Sequence, residues 1–408
     1  MYVYLYQLFH QTNNTVFEQE YEKRFHGYGT IHVPMQIKLL KSSQSFPLFI
    51  VNTQSLLLKF DRINRQDTAI RELMAQLPSI AQHNFIHQQL IDEMFNTNDL
   101  EGVRSTREEM VESTRQVLNQ PSKQVRFKSM INSYSKLLSE EFISMEEPAD
   151  VRRIYDYLVA DEMDKEEHRL DGELFRKDMT YVYKESGTGK IIHKGVTPEQ
   201  AITSHMHGLI NFLNGHDLPL LYRIAITHYY FGYIHPFYDG NGRTSRFISS
   251  LYLRKEFNPL TALSLSKGCN HNRKDYLDAF EKTNSFMNRG ELTYFCETFF
   301  AIIIDSQIDI INELKERKLM LEHMLEVIEK DPEIKNELQQ SILFILTQDY
   351  YFAGTGEGML KQDFISITGK SLYTLNKELE DLETKGLITS KGKRPVHYYL
   401  NEAYFNLA

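Results

Sequence analysis

The stretch YIHPFYDGNGRTSRF, Tyr233 to Phe247, gathers residues whose types and order could do chemistry on a phosphate. A neutral imidazole at His235 is a good general base near pH 7. Asp239 precedes the glycines, where a carboxylate can hold a Mg²⁺ that bridges phosphates. Gly240, Asn241 and Gly242 fall at the predicted start of a helix. Free backbone N–H groups and the positive end of the dipole make such a start an anion site, and glycine lets a phosphate come close. Arg243 and Arg246, three apart, share a helix face, and their forks suit phosphate oxygens. Base, metal ligand, cradle and charge clamp are the parts for attack on a nucleotide phosphate. Singly, a helix-end histidine is usually structural and GNG is usually a turn. Their joint occurrence within twelve residues, from His235 to Arg246, argues for one site.

These residues need a helix on either side. LLYRIAITHYYFGYIH is an apolar helical run that Pro236 should stop near His235. RTSRFISSLYLRKEF is helical again, with Phe247, Ile248, Leu251 and Leu253 apolar. Helical patterning extends back through SHMHGLINFLNG, PADVRRIYDYLVADEM and NFIHQQLIDEMFNTNDLEGV to QDTAIRELMAQLP, which begins at Gln66. DMTYVYKESGTGKIIHKGV, residues 178–196, interrupts it with β-prone runs around SGTG, a hairpin signal. TIHVPMQIKLL and FPLFIVNTQSLLLKF, nearer the amino terminus, read as short strands or helix starts.

With 408 residues, 41% hydrophobic and 25% charged, the chain has the composition of a folded protein of two or three domains. Its net charge of −9 argues against general affinity for nucleic acid or an anionic membrane. Cys269 and Cys296 lack metal-type spacing, and no apolar run reaches the roughly 18 residues of a membrane span. MYVYLYQLFHQ lacks a basic n-region and a cleavage site, so the expectation is a cytoplasmic protein without membrane partners.

Residues 298–330 predict one long helix. Its seam of Ile303, Ile310, Leu314, Leu321, Met324 and Ile328 is broken by Gln307 and Arg317. Such a seam could pair two chains into a homodimer, but its breaks favour packing on the same molecule. Beyond KDPE, three helices and a strand pair with a basic tip, SKGKRP, follow in the order of a winged helix-turn-helix. DNA is one partner for such a domain. Yet from Ser341 to Ala408 seven Lys and Arg face eight Asp and Glu, a net charge of −1. Glu378, Glu380, Asp381 and Glu383 on the recognition-position helix disfavour phosphate contact and favour a protein-interaction role.

HPFYDGNGRTSR resembles the Fic-domain motif, HxFx(D/E)(G/A)N(G/K)RxxR, at every defined position, and the resemblance extends over roughly residues 90–300. It implies a mainly α fold. The regions are an N-terminal Fic-associated region (1–90) and a helical Fic catalytic core (91–300) with an inhibitory helix near 90–103 and a β-hairpin flap near 179–194. A long linker helix (301–332) and the small winged helix-turn-helix domain (333–408) follow. The implied activity is transfer of AMP from ATP to a Ser, Thr or Tyr hydroxyl of a target protein, or of the enzyme itself. His235 would deprotonate the hydroxyl and Asp239 would hold Mg²⁺. Gly240, Asn241 and Gly242 would line the anion hole, Arg243 would steady the phosphates and Arg246 would take the γ-phosphate. Phe237 would be a buried anchor. KDYLDAFEKTN resembles the segment that walls the adenosine pocket, nominating Tyr276 and Asn284, although Tyr276 reads equally as a packed core tyrosine. The flap would pair with the target's main chain.

Thr97-x-x-x-Glu101-Gly102 is weak alone, since an i, i+4 pair before a glycine is common. Upstream of a full Fic motif it resembles the family's inhibitory helix. Glu101 would then pair with Arg246 and deny it to the γ-phosphate. The alternatives are removal of AMP by a water that Glu101 orients, and a DNA-binding regulator acting through the C-terminal domain. SGTGKII is no P-loop, because Lys184 and Ile191 stand where a glycine and a hydroxyl are needed. His205 and His207 lack partners at zinc spacing.

Overall fold

The structure, a computed structural model, describes residues 2–40, 42–119, 123–138, 144–159, 170–184, 189–215, 217–353, 356 and 358–405. The chain divides into two compact units, Met1–Thr68 with Asp92–Ile308, and Ala69–Ile91 with Asp309–Ala408. This differs from the boundaries expected at residues 90, 300 and 332. Ile80, early in a long helix, packs on the C-terminal apolar core, so residues 69–91 group with the C-terminal unit.

The first unit opens with α1 (Leu5–Gln11) and α2 (Asn14–Phe25), then β1 (Thr30–Lys38) and β2 (Ser45–Val51). The two uncertain N-terminal runs are thus an antiparallel strand pair, with β2 followed by α3 (Gln54–Ala75). Val33, Met35 and Ile37 alternate inward along β1, the period-two pattern of a half-buried strand. Then come α4 (Ser79–Leu100), α5 (Arg107–Asn119), α6 (Lys128–Leu137) and α7 (Pro148–Val159). The expected hairpin is β3 (Tyr181–Tyr183) paired antiparallel with β4 (Ile191–Lys194). Its tip at 185–188, which holds most of SGTG, lies outside the described residues.

The centre of this unit is α9 (Leu220–Ile234), which follows α8 (Glu199–Gly215) and precedes α10 (Asn241–Leu253). Every residue of α9 except Arg223 and Gly232 is buried, as is every residue of α10 except Gly242. A helix apolar on all sides must lie inside its domain, and α9 is such a helix. It ends where Pro236 forbids its continuation, with His235 as a left-handed cap (φ 52°, ψ 61°). The short α11 (Pro259–Ala262) and α12 (Leu265–His271) lead to α13 (Arg273–Thr283) and the long α14 (Thr293–Lys330).

The C-terminal unit continues with α15 (Glu337–Phe352), β5 (Met359–Leu360), α16 (Lys361–Thr368), α17 (Leu372–Thr384), β6 (Ile388–Lys391) and β7 (His397–Leu400). Its antiparallel sheet has the order β5-β7-β6, and the two-residue β5 was not anticipated. Leu375, Leu379 and Leu382 of α17 join Phe364, Leu343 and Leu346 in its core. The six seam residues of α14 are all buried by this chain itself, which spends the seam on packing within the molecule. No helix among the described residues is long and apolar enough to cross a membrane.

Candidate active site

The loop from His235 to Gly240 is built by its own polar groups. Asn241 turns its amide back on Phe237, accepting from the backbone N–H at 3.0 Å and donating to the carbonyl at 2.8 Å. Phe237 is fully buried and stacks on Tyr155, with ring centroids 3.7 Å apart. The anchor role expected of Phe237 thus has a physical basis. Asn241 shapes the loop through its side chain, leaving only its backbone N–H for an anion.

Gly240 caps α10 at φ 73°, a conformation that strains other residues, and a Cβ there would press on Val159 and Tyr155. The first intrahelical bond runs from Thr244 N–H to Gly240 O (3.0 Å). The N–H groups of Asn241, Gly242 and Arg243 therefore lie in the first turn, which has no helical acceptor. A Cβ at Gly242 would collide with the carboxylate of Glu101, which covers this helix start.

Arg243 and Arg246 are buried, at 2% and 1% exposure. Arg243 Nη2 lies 3.8 Å from Asp239 Oδ2. Arg246 donates through Nη2 to Glu101 Oε1 (2.8 Å) and to Thr97 O (3.1 Å), and through Nε to Thr97 Oγ1 (3.0 Å). Burial works against the Arg246 charge, but Glu101, Tyr276 and Cys269 outweigh it and raise its pKa. Gly102, at φ 71° with open space around it, ends α4 rather than permitting a close approach.

Asp239 is half exposed, and its Oδ1 accepts from the Gly240 N–H at 2.6 Å. No group of three or more His, Cys, Asp or Glu among the described residues could hold a metal alone. A single accessible carboxylate beside a helix start could give a Mg²⁺ one ligand, and does not make an all-protein cage.

His235 is half-buried. Burial, with His193 and Arg176 adding, pushes its imidazole down to about 3, so it is neutral at physiological pH. Tyr276 sits in the core, its hydroxyl 2.8 Å from His228 Nε2, and burial raises its pKa. Asn284 accepts from the Tyr229 hydroxyl (2.9 Å) and lines a cleft of about 790 Å³ between the hairpin and the end of α13. Glu281, also on that cleft, pairs with Lys184 (2.9 Å) and Lys190 (3.5 Å) of the hairpin.

The structure therefore brings Thr97, Glu101, Asp239 and the 240–246 segment around one helix start, with His235 on the loop that leads into it. Sequence reasoning missed Glu93, Arg176, His193 and Glu281. Glu93 lies four residues before Thr97, fully buried, taking the Ser266 N–H (2.8 Å) and Oγ (2.6 Å). Burial pushes its carboxyl up to about 7. Its i, i+4 spacing to Thr97 was the one signal available.

Residues 142–253 match the family model for Fic/DOC. The chain carries a Fic/DOC domain. The family's members typically transfer AMP or other nucleotide groups to proteins, and its domains are generally transferases. A Fic family protein from Desulfovibrio desulfuricans is similar in structure over 85% of this chain and 96% of its own, at 16% identity and a TM-score of 0.50. A Fic domain containing signaling protein from Bacteroides thetaiotaomicron matches over 62% of this chain and 97% of its own (17% identity, TM-score 0.45). Fic-1 from C. elegans matches over 64% and 74% (20% identity, TM-score 0.45). At 16% identity the likeness to the Desulfovibrio protein concerns the fold, which is the mainly helical Fic fold.

Proposed function

We propose that the Fic domain is a protein adenylyltransferase that moves AMP from ATP to a Ser, Thr or Tyr hydroxyl, and that Glu101 holds it inactive. The observation that carries this reading is the 2.8 Å pair between Glu101 and the buried Arg246, with the Glu101 carboxylate lying against Gly242 at the start of α10. A triphosphate on the first-turn N–H groups of α10 would compete with that carboxylate for the same cation.

In the reaction the target hydroxyl gives its proton to His235 as its oxygen bonds to the α-phosphorus. The bond from that phosphorus to the β-phosphate's bridging oxygen breaks, and pyrophosphate leaves. A bound Mg²⁺, held by Asp239, would neutralise charge on the phosphates. His235 is unprotonated but weakly basic in the free protein, and the negative charge of a bound triphosphate raises its proton affinity. Arg243 and the backbone N–H groups of Asn241 and Gly242 oppose the charge that develops on the phosphates. Among the described residues β3 pairs on one side only, with β4, which leaves its other edge for a target's main chain.

The test is incubation of the Glu101→Gly protein with labelled ATP, CTP, GTP and UTP, followed by mass spectrometry of modified peptides. AMP on a hydroxyl side chain, lost on adding His235→Ala, supports the reading. No addition from any nucleotide, with unchanged ATP affinity, overturns it. Loss of AMP from a modified protein that needs Glu101 would favour hydrolytic removal of AMP by the same site.

The C-terminal unit supports a second reading, duplex DNA binding by a winged helix. Three of the acids that argued against it are occupied within the unit. Glu378 accepts from Asn336 and Gln339, Asp381 pairs with Lys385 (2.7 Å), and Glu383 accepts from Ser390. Tyr373, Lys377, Lys391, Lys393 and Arg394 are exposed, and so is Glu380. Salt-dependent binding of a labelled duplex by the full chain, weakened by Lys393→Glu with Arg394→Glu, is the expected result. Binding that ignores salt and these variants counts against it.

A further inference from the structure

Arg176 is completely buried, and its guanidinium donates to main-chain carbonyls. Nη1 donates to Asp178 O (2.6 Å), and Nη2 to Val196 O (2.8 Å) and more loosely to Ile234 O (3.4 Å). Nε donates to His235 O (2.8 Å), while the residue's own N–H donates to Pro236 O (3.2 Å). Asp178 precedes β3 and Val196 follows β4, so one guanidinium joins both legs of the hairpin to the turn that carries His235. The space is shaped for it. A Cβ at Gly195 would collide with Arg176 Nη2 and stand 3.2 Å from the Cβ of His235.

A buried cation with carbonyl partners and no carboxylate bonded to it among the described residues is a costly staple. The arginine fork satisfies several carbonyls in a fixed plane, which a lysine ammonium cannot. His235 needs such restraint, because φ 52° is a sparsely populated conformation for a residue with a side chain.

We propose that Arg176 is the positioning residue for His235, locking the backbone under the imidazole to both legs of the hairpin on which a target would dock. This rests on the adenylyltransferase reading for its consequence in turnover, though not for its geometry. The charge has a second effect. Burial acts most strongly against a proton on His235, His193 of β4 and then Arg176 add to it, and a hydrogen bond at Gly232 favours the proton. His193 lies 2.7 Å from Tyr233 O through Nε2, and Arg176 helps to keep it neutral too. Asp171 and Tyr238 face Arg176 and help it to stay charged, although burial lowers its pKa to about 10.

The experiment uses full-length protein in the Glu101→Gly background, with Arg176→Met and Arg176→Lys. Turnover, KM for ATP and the NMR titration of His235 are measured on variants whose melts show a folded protein. Arg176→Met is expected to lower kcat about 100-fold, with KM for ATP within about twofold. Its His235 titration should move upward, while burial and His193 still hold it below that of a free imidazole. Arg176→Lys keeps the charge without the fork, so it should leave the titration in place and recover only part of kcat. Wild-type kcat in either variant, or a His235 titration that ignores Arg176→Met, would overturn the proposal. If Arg176→Met does not fold, Arg176→Lys decides it by kcat. If the background protein transfers no nucleotide yet Arg176→Met and Arg176→Lys both shift the backbone amide resonances of Ile234, His235 and Phe237, positioning stands and the adenylyltransferase reading falls.

Discussion

Two helix–turn–helix segments in this chain follow one local plan and bury opposite kinds of side chain. In the C-terminal unit, α16 and α17 meet at Gly369, and α17 buries only Leu375, Leu379 and Leu382. In the Fic domain, α9 and α10 meet between His235 and Gly240, and α10 buries Asn241, Arg243, Thr244, Ser245, Arg246, Ser249 and Ser250 with its apolar residues. The first is an amphipathic helix held by its apolar stripe. The second accepts the cost of burying two guanidinium groups, which stability alone does not call for. Where a helix buries charge without needing it to fold, the charge is there for a ligand or a regulator. In α10 one guanidinium meets Glu101, whose carboxylate lies against Gly242 at the helix start.

Substitutions can break this contrast. The largest effect is expected from His235→Ala in the Glu101→Gly background, a loss of roughly 10²–10⁴ in transfer measured by label incorporation. Leu379→Ala should cost about 2–5 kcal/mol in the stability of the C-terminal unit, read by urea melts, and leave transfer by the Fic domain within about twofold. An equal loss of transfer would show that the two segments are not separable. Glu101→Gly alone should raise transfer by tenfold or more, the worth of a charge-assisted bond of about 1.5–3 kcal/mol. Thr97→Val removes one hydrogen bond to Arg246 and should relieve inhibition severalfold, consistent with about 1 kcal/mol.

Acid gives the smallest and broadest test. His193, His228 and His235 of the first unit are pushed down by burial, to about 4, 3 and 3. Unfolding returns them to ~6.5, so the unfolded chain binds more protons below that pH. Their stabilising contribution is complete above ~6.5 and is lost as pH falls through the folded values. The raised carboxyls of Glu93 and Glu291 oppose this. Between pH 7 and 6 the net loss should be on the order of 1 kcal/mol in pH-dependent melts. Stability of the first unit that rises over this range would contradict the assignment of neutral buried histidines.

The sequence made the site legible where chemistry is carried by local order. His235, Asp239 and the 240–246 run lie within twelve residues, and their helix start follows from Pro236 and the glycines. The Glu101 pair was legible only through resemblance, because 145 residues separate Glu101 from Arg246. Arg176 was not legible. Its partners are carbonyls, which every residue has, so no side-chain pattern marks them. What Asn241 and Gly102 touch was not legible, because it depends on Phe237 and on the open space beyond α4. The N-terminal strand pair stayed ambiguous because short apolar runs fit either period. The domain boundaries moved because α3, α4 and α14 each run from one unit into the other.

The central claim is that Glu101 acts by occupying Arg246. It is tested most directly by AMP incorporation in four proteins side by side: wild type, Glu101→Gly, Arg246→Ala and the double variant. The account predicts that Glu101→Gly gains transfer and that Arg246→Ala in the same chain removes the gain. A double variant as active as Glu101→Gly would contradict it, because Glu101 would then be restraining something other than Arg246.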